Sequence, residues 1–523
     1  MLSLFRRSKK SQKEKDFTKV LEQTNPSDST DLPIYPSLED NLQLIKKVFE
    51  NSSDVNFRKI QVNETLKGLV VYIDGMADTK AIGDNVLKEL LASYRKNPDQ
   101  IQNKSELQNN VSFPSVQFTK EFKKVFSQIL FGAAVLFADG CEEAMILSVR
   151  KGVRRGVSEP TTEASIRGPR EGFTENLRTN TALLRFRLKT TKLKFEPFVK
   201  GEQTQTNIVL CYIEGLADKS VLDEVRKRLD RIEIDSVLET GYIEELIEDN
   251  PYSPFPQLQY TERPDAAAGQ LLEGCFAIFV DGTPFVLIGP VTAWQMLHAS
   301  EDYYERFYIS NFIRWLRFFF LFVALFTPAL YIAVTTFHQD MLPTTLILSI
   351  AAAREAIPFP ALVEALIMEL SFEALREASV RLPKTVGQAV SILGALVIGQ
   401  AAVEAGIVSA PMVIIVSMTG IASFAIPKFN FAISIRLIRF PLMILAGAFG
   451  LFGIIIGSSV VIAHVAQLHS FGVPYLSGLA PLKQHELKDI LVRAPWWKMI
   501  HRPSSYARRN LKRMKRGNQT AIK

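Results

Sequence analysis

Cysteine is scarce here: Cys141, Cys211 and Cys275 are the only three in 523 residues. They are too few and too scattered for a disulfide framework or a metal site, and each lies in an apolar, strand-like context that suits a buried thiol in a reducing compartment. No Walker loop, GxGxxG, HExxH or GxSxG pattern occurs. The phosphate-cradling, dinucleotide-binding, metalloprotease and serine-hydrolase chemistries that need those spacings are therefore not expected, and neither is a cofactor. No zinc-finger, RNP or helix-turn-helix pattern accompanies the basic charge, so nucleic acid is not an expected partner. The first residues, MLSLFRRSKKSQKEKDF, carry the charge of an export signal without its apolar core. The part that follows is expected to stay on the cytoplasmic side.

What is present is segregated. Apolar residues make up 47% of the chain and charged ones 22%. The first three hundred or so residues read as soluble α/β protein, the stretch from about 316 to 466 is almost wholly apolar, and the end is basic. Residues 150–200 hold thirteen Lys/Arg against five acids, a net +8, and residues 483–523 hold twelve against two, a net +10. The formal total is +7, so the remainder sums to about −11 and the positive charge is local. Local basic charge beside a membrane points to the cytoplasmic face and its anionic lipids.

The soluble half repeats itself. YIDGMAD (72–78) matches YIEGLAD (212–218) at an offset of 140, and QILFGAAVLFADG (128–140) matches QLLEGCFAIFVDG (270–282) at 142. Two matches in the same order imply a duplicated α/β domain, roughly 66–150 and 206–292. In each copy a β-branched run reads as a buried strand, an acid-Gly turn leads into a helix (Val86, Leu87, Leu90 and Leu91 in the first), and a later strand ends in Asp-Gly, a hairpin turn. Asp74, Glu214, Asp139 and Asp281 sit where turns need acids, which weighs against a catalytic role. Between the copies lies GVSEPTTEASIRGPREGFTENLRTN (156–180). There Gly168-Pro169 holds Arg167 and Arg170 on a stiff turn, and Glu171, Glu175 and Asn176 open a helix. Rigid guanidinium pairs suit bidentate contacts to carboxylates, either across an oligomer interface or as an internal staple between the halves.

In the apolar half, Phe318–Phe337, Thr385–Val403, Ala405–Pro427 and Phe440–Ala463 are uncharged and long enough to cross a bilayer core of about 30 Å. Tyr303, Tyr304, Tyr308 and Trp315 read as interfacial anchors ahead of the first. Gly447, Gly450, Gly453 and Gly457 in the last give the small-residue spacing of closely packed helices. MLPTTLILSIAAA (341–353) is too short to cross and reads as re-entrant. The helix after it carries Glu364, Glu369, Glu373 and Glu377. At about 100° per residue the last three share one face with Leu362 and Leu366. Such acids line water or pair internally; several copies around an axis would stack them into rings that admit cations, whereas pairing with Arg376 and Arg381 would leave an amphipathic surface helix. Gln388, Ser391, Gln400 and Glu404 mark a second candidate lining. Four crossings keep both termini on one side but place PKFNFAISIRLIR (427–439) outside, where Lys428, Arg436 and Arg439 break the positive-inside tendency.

EPTTEASIRGPREGFTENLRTN, EDYYERF, AAAREAIPFPALVEALIMELSFEALREAS and SIRLIRFPLMILAGAFGLFG together resemble the A subunits of spore germination receptors, the GerA family, over about residues 60–500. The resemblance implies a multi-pass protein of the spore inner membrane with both termini on the core side. It implies a transporter-like B subunit that senses the nutrient and a lipoprotein C subunit as partners. It also implies a homo-oligomer that forms a channel releasing monovalent cations. A related stage-five sporulation membrane group shares most of these motifs. The competing classes are a secondary transporter, which would favour inverted repeats among the membrane helices, and a membrane-anchored enzyme. The expected fold class is a duplicated soluble α/β domain followed by an all-α membrane domain of about four spans plus a re-entrant or amphipathic segment. The expected divisions are a basic extension (1–40), a first subdomain (41–150), a basic linker (151–205), a second subdomain (206–300), the transmembrane domain (301–466) and a cytoplasmic tail (467–523).

Overall fold

The structure, a computed structural model, describes residues 32–61, 67–84, 88, 116–150, 159–160, 162–163, 165–383, 397, 399–483, 486–507 and 510–515. Two compact units interleave in the sequence. One takes in the residues up to Ile247 with Tyr260–Pro290 and Arg502–Lys512; the other takes in Glu248–Gln259, Val291–His501 and the residues from Arg513 on.

The first unit holds two five-stranded sheets. In chain order the first copy contains α1 (Leu38–Val48), β1 (Val55–Gln61), β2 (Lys67–Ile73), a short α2 (Thr79–Ile82), β3 (Val116–Thr119), α3 (Phe122–Leu130), β4 (Ala134–Ala138) and β5 (Ala144–Leu147). The second contains α4 (Leu177–Arg187), β6 (Leu193–Lys200), β7 (Thr206–Ile213), α5 (Lys219–Asp230), α6 (Thr240–Ile247), β8 (Gln259–Thr261), α7 (Pro264–Glu273), β9 (Phe276–Val280) and β10 (Val286–Gly289). The sheet orders are β1-β2-β4-β5-β3 and β6-β7-β9-β10-β8, one plan used twice. Central strands β2 and β7 are buried along almost their whole length, as their unbroken Val/Ile/Leu runs require.

The repeated motifs mark the same local chemistry in both copies. In YIDGMAD and YIEGLAD the strand ends at Ile73 and Ile213, and the glycines turn the chain at φ 78° and 81°. The closing Asp78 and Asp218 cap the next helix by accepting from the amides of Lys80 and Ser220. Gly140 and Gly282, at φ 77° and 92°, turn the second strand back. Each copy also begins earlier than the shared strings suggest. Asp139 accepts from the amide of Leu38 and Asp281 from that of Leu177, each at the start of its copy's first helix. Buried Asn41 and Asn180 bond back to the backbone of Tyr35 and Thr174 in the same way. Residues 151–205, read as a linker, thus contain the first helix and first strand of the second copy. Helices and outer strands need only apolar spacing, so their sequences diverge while turn residues stay recognisable.

The two copies are stapled by charge inside this unit. Arg185, wholly buried, grips Asp54 with two bonds of 2.8 and 3.0 Å, donates to the Thr190 carbonyl and lies over the Phe195 ring. Lys194 donates to the carbonyl of Val48 at 3.1 Å.

The second unit is helical: α8 (Phe307–Phe337), α9 (Thr344–Arg354), α10 (Ala361–Arg381), α11 (Ala410–Phe424) and the run α12 (Phe429–Gln467), followed by a two-residue hairpin, β11 (His469–Ser470) and β12 (Val473–Pro474). The run α12 is not one rod. Gly450 has φ 62° and ψ −140°, outside the helical region. A Cβ on Gly453 would lie 2.1 Å from the Leu445 carbonyl, and one on Gly457 would lie 2.5 Å from Leu442. In a straight helix those pairs would be about 12 and 22 Å apart. The Phe255 ring sits 6.1 Å from both Phe431 and His464. The chain therefore reverses at Gly450 into an antiparallel helical hairpin.

This changes the expected spans. Two helical runs are long and apolar enough to cross a bilayer by length and composition, Phe307–Phe337 and Phe429–Gln467, and the second folds back on itself. The stretch Phe440–Ala463 is not a single span, and 427–439 is not a loop: from Phe429 it is helix, with Arg436 and Arg439 buried. The Ala405–Pro427 stretch yields fifteen helical residues, about 22 Å, short of a bilayer core. Most of Thr385–Val403 lies outside the described residues, as do Val86, Leu87, Leu90 and Leu91.

Candidate functional site

The acidic helix α10 packs inside the helical unit, with Ala361, Glu364, Ala365, Met368 and Glu369 buried. Its direction opposes the first arm of the Gly450 hairpin: Leu362 fills the space over Gly447, where a Cβ would come within 2.6 Å of its side chain. Two turns on, Glu369 meets Arg439 at 2.9 Å, and a turn further Glu373 meets Arg436 at 2.6 Å. The glycines thus serve contacts within the protomer: Gly447 against Leu362, Gly450 at the reversal, and Gly453 and Gly457 between the hairpin arms.

The four glutamates have different surroundings. Glu364 is fully buried; it takes an ion pair from Arg354 at 3.1 Å and accepts from the amide and hydroxyl of Ser409, so it caps the start of α11. Arg354 also lines a cavity of about 110 Å³ with Thr335 and Gln339. Glu369 and Arg439 are each only 3% exposed, yet Glu369 Oε1 and Arg439 Nε and Nη1 have no protein partner. Glu373 is half-exposed and is shared between Arg436 and Arg376, the latter also donating to Ser423. Glu377 is exposed and pairs with Arg381 one turn on. Leu366 packs partly buried against the apolar core. The structure thus brings Glu364, Glu369 and Glu373 together with arginines from α9, α10 and α12 as a ladder of ion pairs. The arginine partners from 436 and 439 were not expected. Their only sequence signal was a pair of cations three apart in an apolar run, opposite acids four apart. Gln388 and Ser391 lie outside the described residues.

In the sheet-bearing unit the RGPREGF segment lies along the second copy. Arg263, buried and paired with Asp265 at 2.8 Å, donates to the carbonyls of Glu163 and Pro169. Phe173 bonds to the Glu262 carbonyl and its ring meets Phe279 edge-on at 5.4 Å. Glu171 pairs with Arg187 at 2.7 Å, the Glu175 carbonyl accepts from Gly282, and Asn176 caps α4 through the amide of Thr179. Arg167, Gly168 (φ 141°) and Arg170 are exposed, and Arg170 reaches Glu159 at 3.3 Å. Most of the segment packs along the second copy, and its tip, Arg167 to Arg170, is exposed apart from Pro169.

A family model described as Bacillus/Clostridium GerA spore germination protein matches residues 43–505. The chain belongs to the GerA family. It is 60% identical to the uncharacterized membrane protein YfkQ of Bacillus subtilis (strain 168) over 92% of this chain and 94% of that one. It is 50% identical to the spore germination protein KA of the same organism, over 91% of this chain and 88% of that one. The crystal structure of the N-terminal domain of the A subunit of the Bacillus megaterium spore germinant receptor GerK3 matches 50% of this chain and 97% of its own. The two share 40% identity, with a TM-score of 0.40.

Proposed function

We propose that this protein is the A-type membrane subunit of a nutrient-responsive spore germination receptor. It acts with a transporter-like B subunit and a lipoprotein C subunit, and oligomerises into a ligand-gated channel for monovalent cations in the spore inner membrane. The family match across residues 43–505 is the observation that carries the reading. In it, nutrient binding to another subunit shifts the oligomer between closed and open states. Glu364 and Glu369 are taken up inside the protomer, so the half-exposed Glu373 and exposed Glu377 are the acids that would face the wet path, with Leu366 beside them. The projecting Arg167–Arg170 turn would reach a neighbouring copy. Both termini would lie on the core side. The test is to restore the gene, with its B and C partners, to spores lacking every other germinant receptor. Restored cation release on nutrient addition supports the reading, and silent spores across a nutrient panel refute it.

A further inference from the structure

The N-terminal turns of α8 carry an unusual attachment. Arg314, 1% exposed, joins Asp302 at 3.3 Å and Asp489 at 3.0 Å, and Arg317 reaches Asp302 at 2.6 Å. Asn311 clamps Arg493 through both its amide and its carbonyl, at 2.6 and 3.3 Å. The indole N–H of Trp315 donates to the Leu491 carbonyl, and that of Trp496 to the Tyr303 carbonyl. A C-terminal segment of about ten residues is thereby pinned along the helix start. Its acid Asp489 turns inward, and the indole N–H of its Trp496 is satisfied by protein.

What this leaves outside is apolar. Tyr308, Phe312 and Trp315 on the helix and Leu491, Trp496 and Trp497 on the segment are between 39% and 74% exposed. The helical set continues as Phe319 and Phe322, at alternating spacings of four and three, up the exposed side of a helix long and apolar enough to cross a bilayer. The most exposed charges beside it are Arg306, Lys488 and Lys498; Glu301 and Glu305 are half-buried, and the nearby Asp302 and Asp489 are held by Arg314. Exposed aromatic rings at the end of an apolar stripe, with the N–H groups of Trp315 and Trp496 satisfied and cations at the fringe, match the boundary between acyl chains and anionic headgroups.

We propose that residues 489–498 and the first turns of α8 form a shelf that binds anionic phospholipid at the membrane surface and sets the depth at which α8 enters the bilayer. This rests on the membrane-subunit reading above. Four tryptophans occur in the chain, which makes it measurable. The full protein carrying W294F/W315F, reconstituted in phosphatidylglycerol nanodiscs, should show Trp496 and Trp497 quenched more by lipid brominated near the headgroup than by lipid brominated near the chain ends. K488Q/K498Q should lower the preference for phosphatidylglycerol over phosphatidylcholine by about fivefold per lysine. A control with all four tryptophans replaced by phenylalanine and F322W added reports the helix itself. If that probe is quenched by deep bromine while Trp496 and Trp497 stay unquenched, the shelf is wrong and the membrane reading stands. If neither probe is quenched, the membrane reading falls with it. Quenching seen in the monomer but lost in the oligomer would assign the surface to a copy-to-copy contact and overturn the lipid assignment.

Discussion

Two buried arginines, Arg185 in the sheet-bearing unit and Arg439 in the helical one, are held differently. In the sheet-bearing unit Arg185 has its carboxylate on two bonds, a carbonyl on a third and a ring beneath it. In the helical unit Arg439 has one bond to Glu369, and three of the pair's polar atoms lack a protein partner. A fully satisfied buried pair fixes one arrangement. A half-satisfied one keeps less of the favourable energy that offsets desolvation, so parting it loses less. Arg185 joins the two copies of the sheet-bearing unit through a fully bonded pair, and Glu369–Arg439 joins α10 to α12 through an incomplete one.

Substitutions can break this contrast, and the largest effect is expected at the joint. D54A leaves Arg185 buried without its anion and should lower stability by about 3–5 kcal/mol, read as a large drop in the thermal unfolding temperature of the reconstituted protein. If D54A unfolds like the parent, the joint is not rigid. Next is the hairpin. G453L drives a side chain into the Leu445 carbonyl and should abolish membrane accumulation, whereas G450A meets a positive φ worth about 1–3 kcal/mol and a Cβ 2.8 Å from the His338 ring, which must shift, so it should lower accumulation without abolishing it. Equal tolerance at both positions would mean that the chain runs straight through. E369Q should lower stability less than D54A, because its pair is already incomplete; a loss as large as that of D54A would erase the distinction between the two pairs. The smallest effect belongs to the exposed tip. R167E/R170E should weaken self-association by about 0.2–1 kcal/mol per contact, since solvent screens such pairs, and analytical ultracentrifugation in detergent would detect it. An unchanged distribution would make the segment a staple alone.

The parts legible in the sequence were those whose chemistry is local. Gly75, Gly215 and the caps Asp78 and Asp218 repeat because a positive φ and a helix start demand particular residues. The start of the second copy at α4 was missed because Asn180 and Asp281, which fix it, lie far apart in the chain and bind backbone rather than one another. Gly447, Gly450, Gly453 and Gly457 announced close packing, but a glycine that packs and a glycine that reverses the chain look alike until φ is known. The acidic face of α10 was readable from its period of four. Its partners Arg436 and Arg439 lie some sixty residues on, and only the hairpin brings them within reach.

The most direct test is nutrient-triggered cation release from spores in which this protein and its B and C partners form the sole germinant receptor, comparing the parent with E373Q/E377Q. A membrane subunit that lines a gated path predicts release in the parent and a marked slowing in the variant at equal protein level. Release at the parental rate from the variant would remove the acids from the path, and release that persists when the protein is deleted would contradict its place in the receptor.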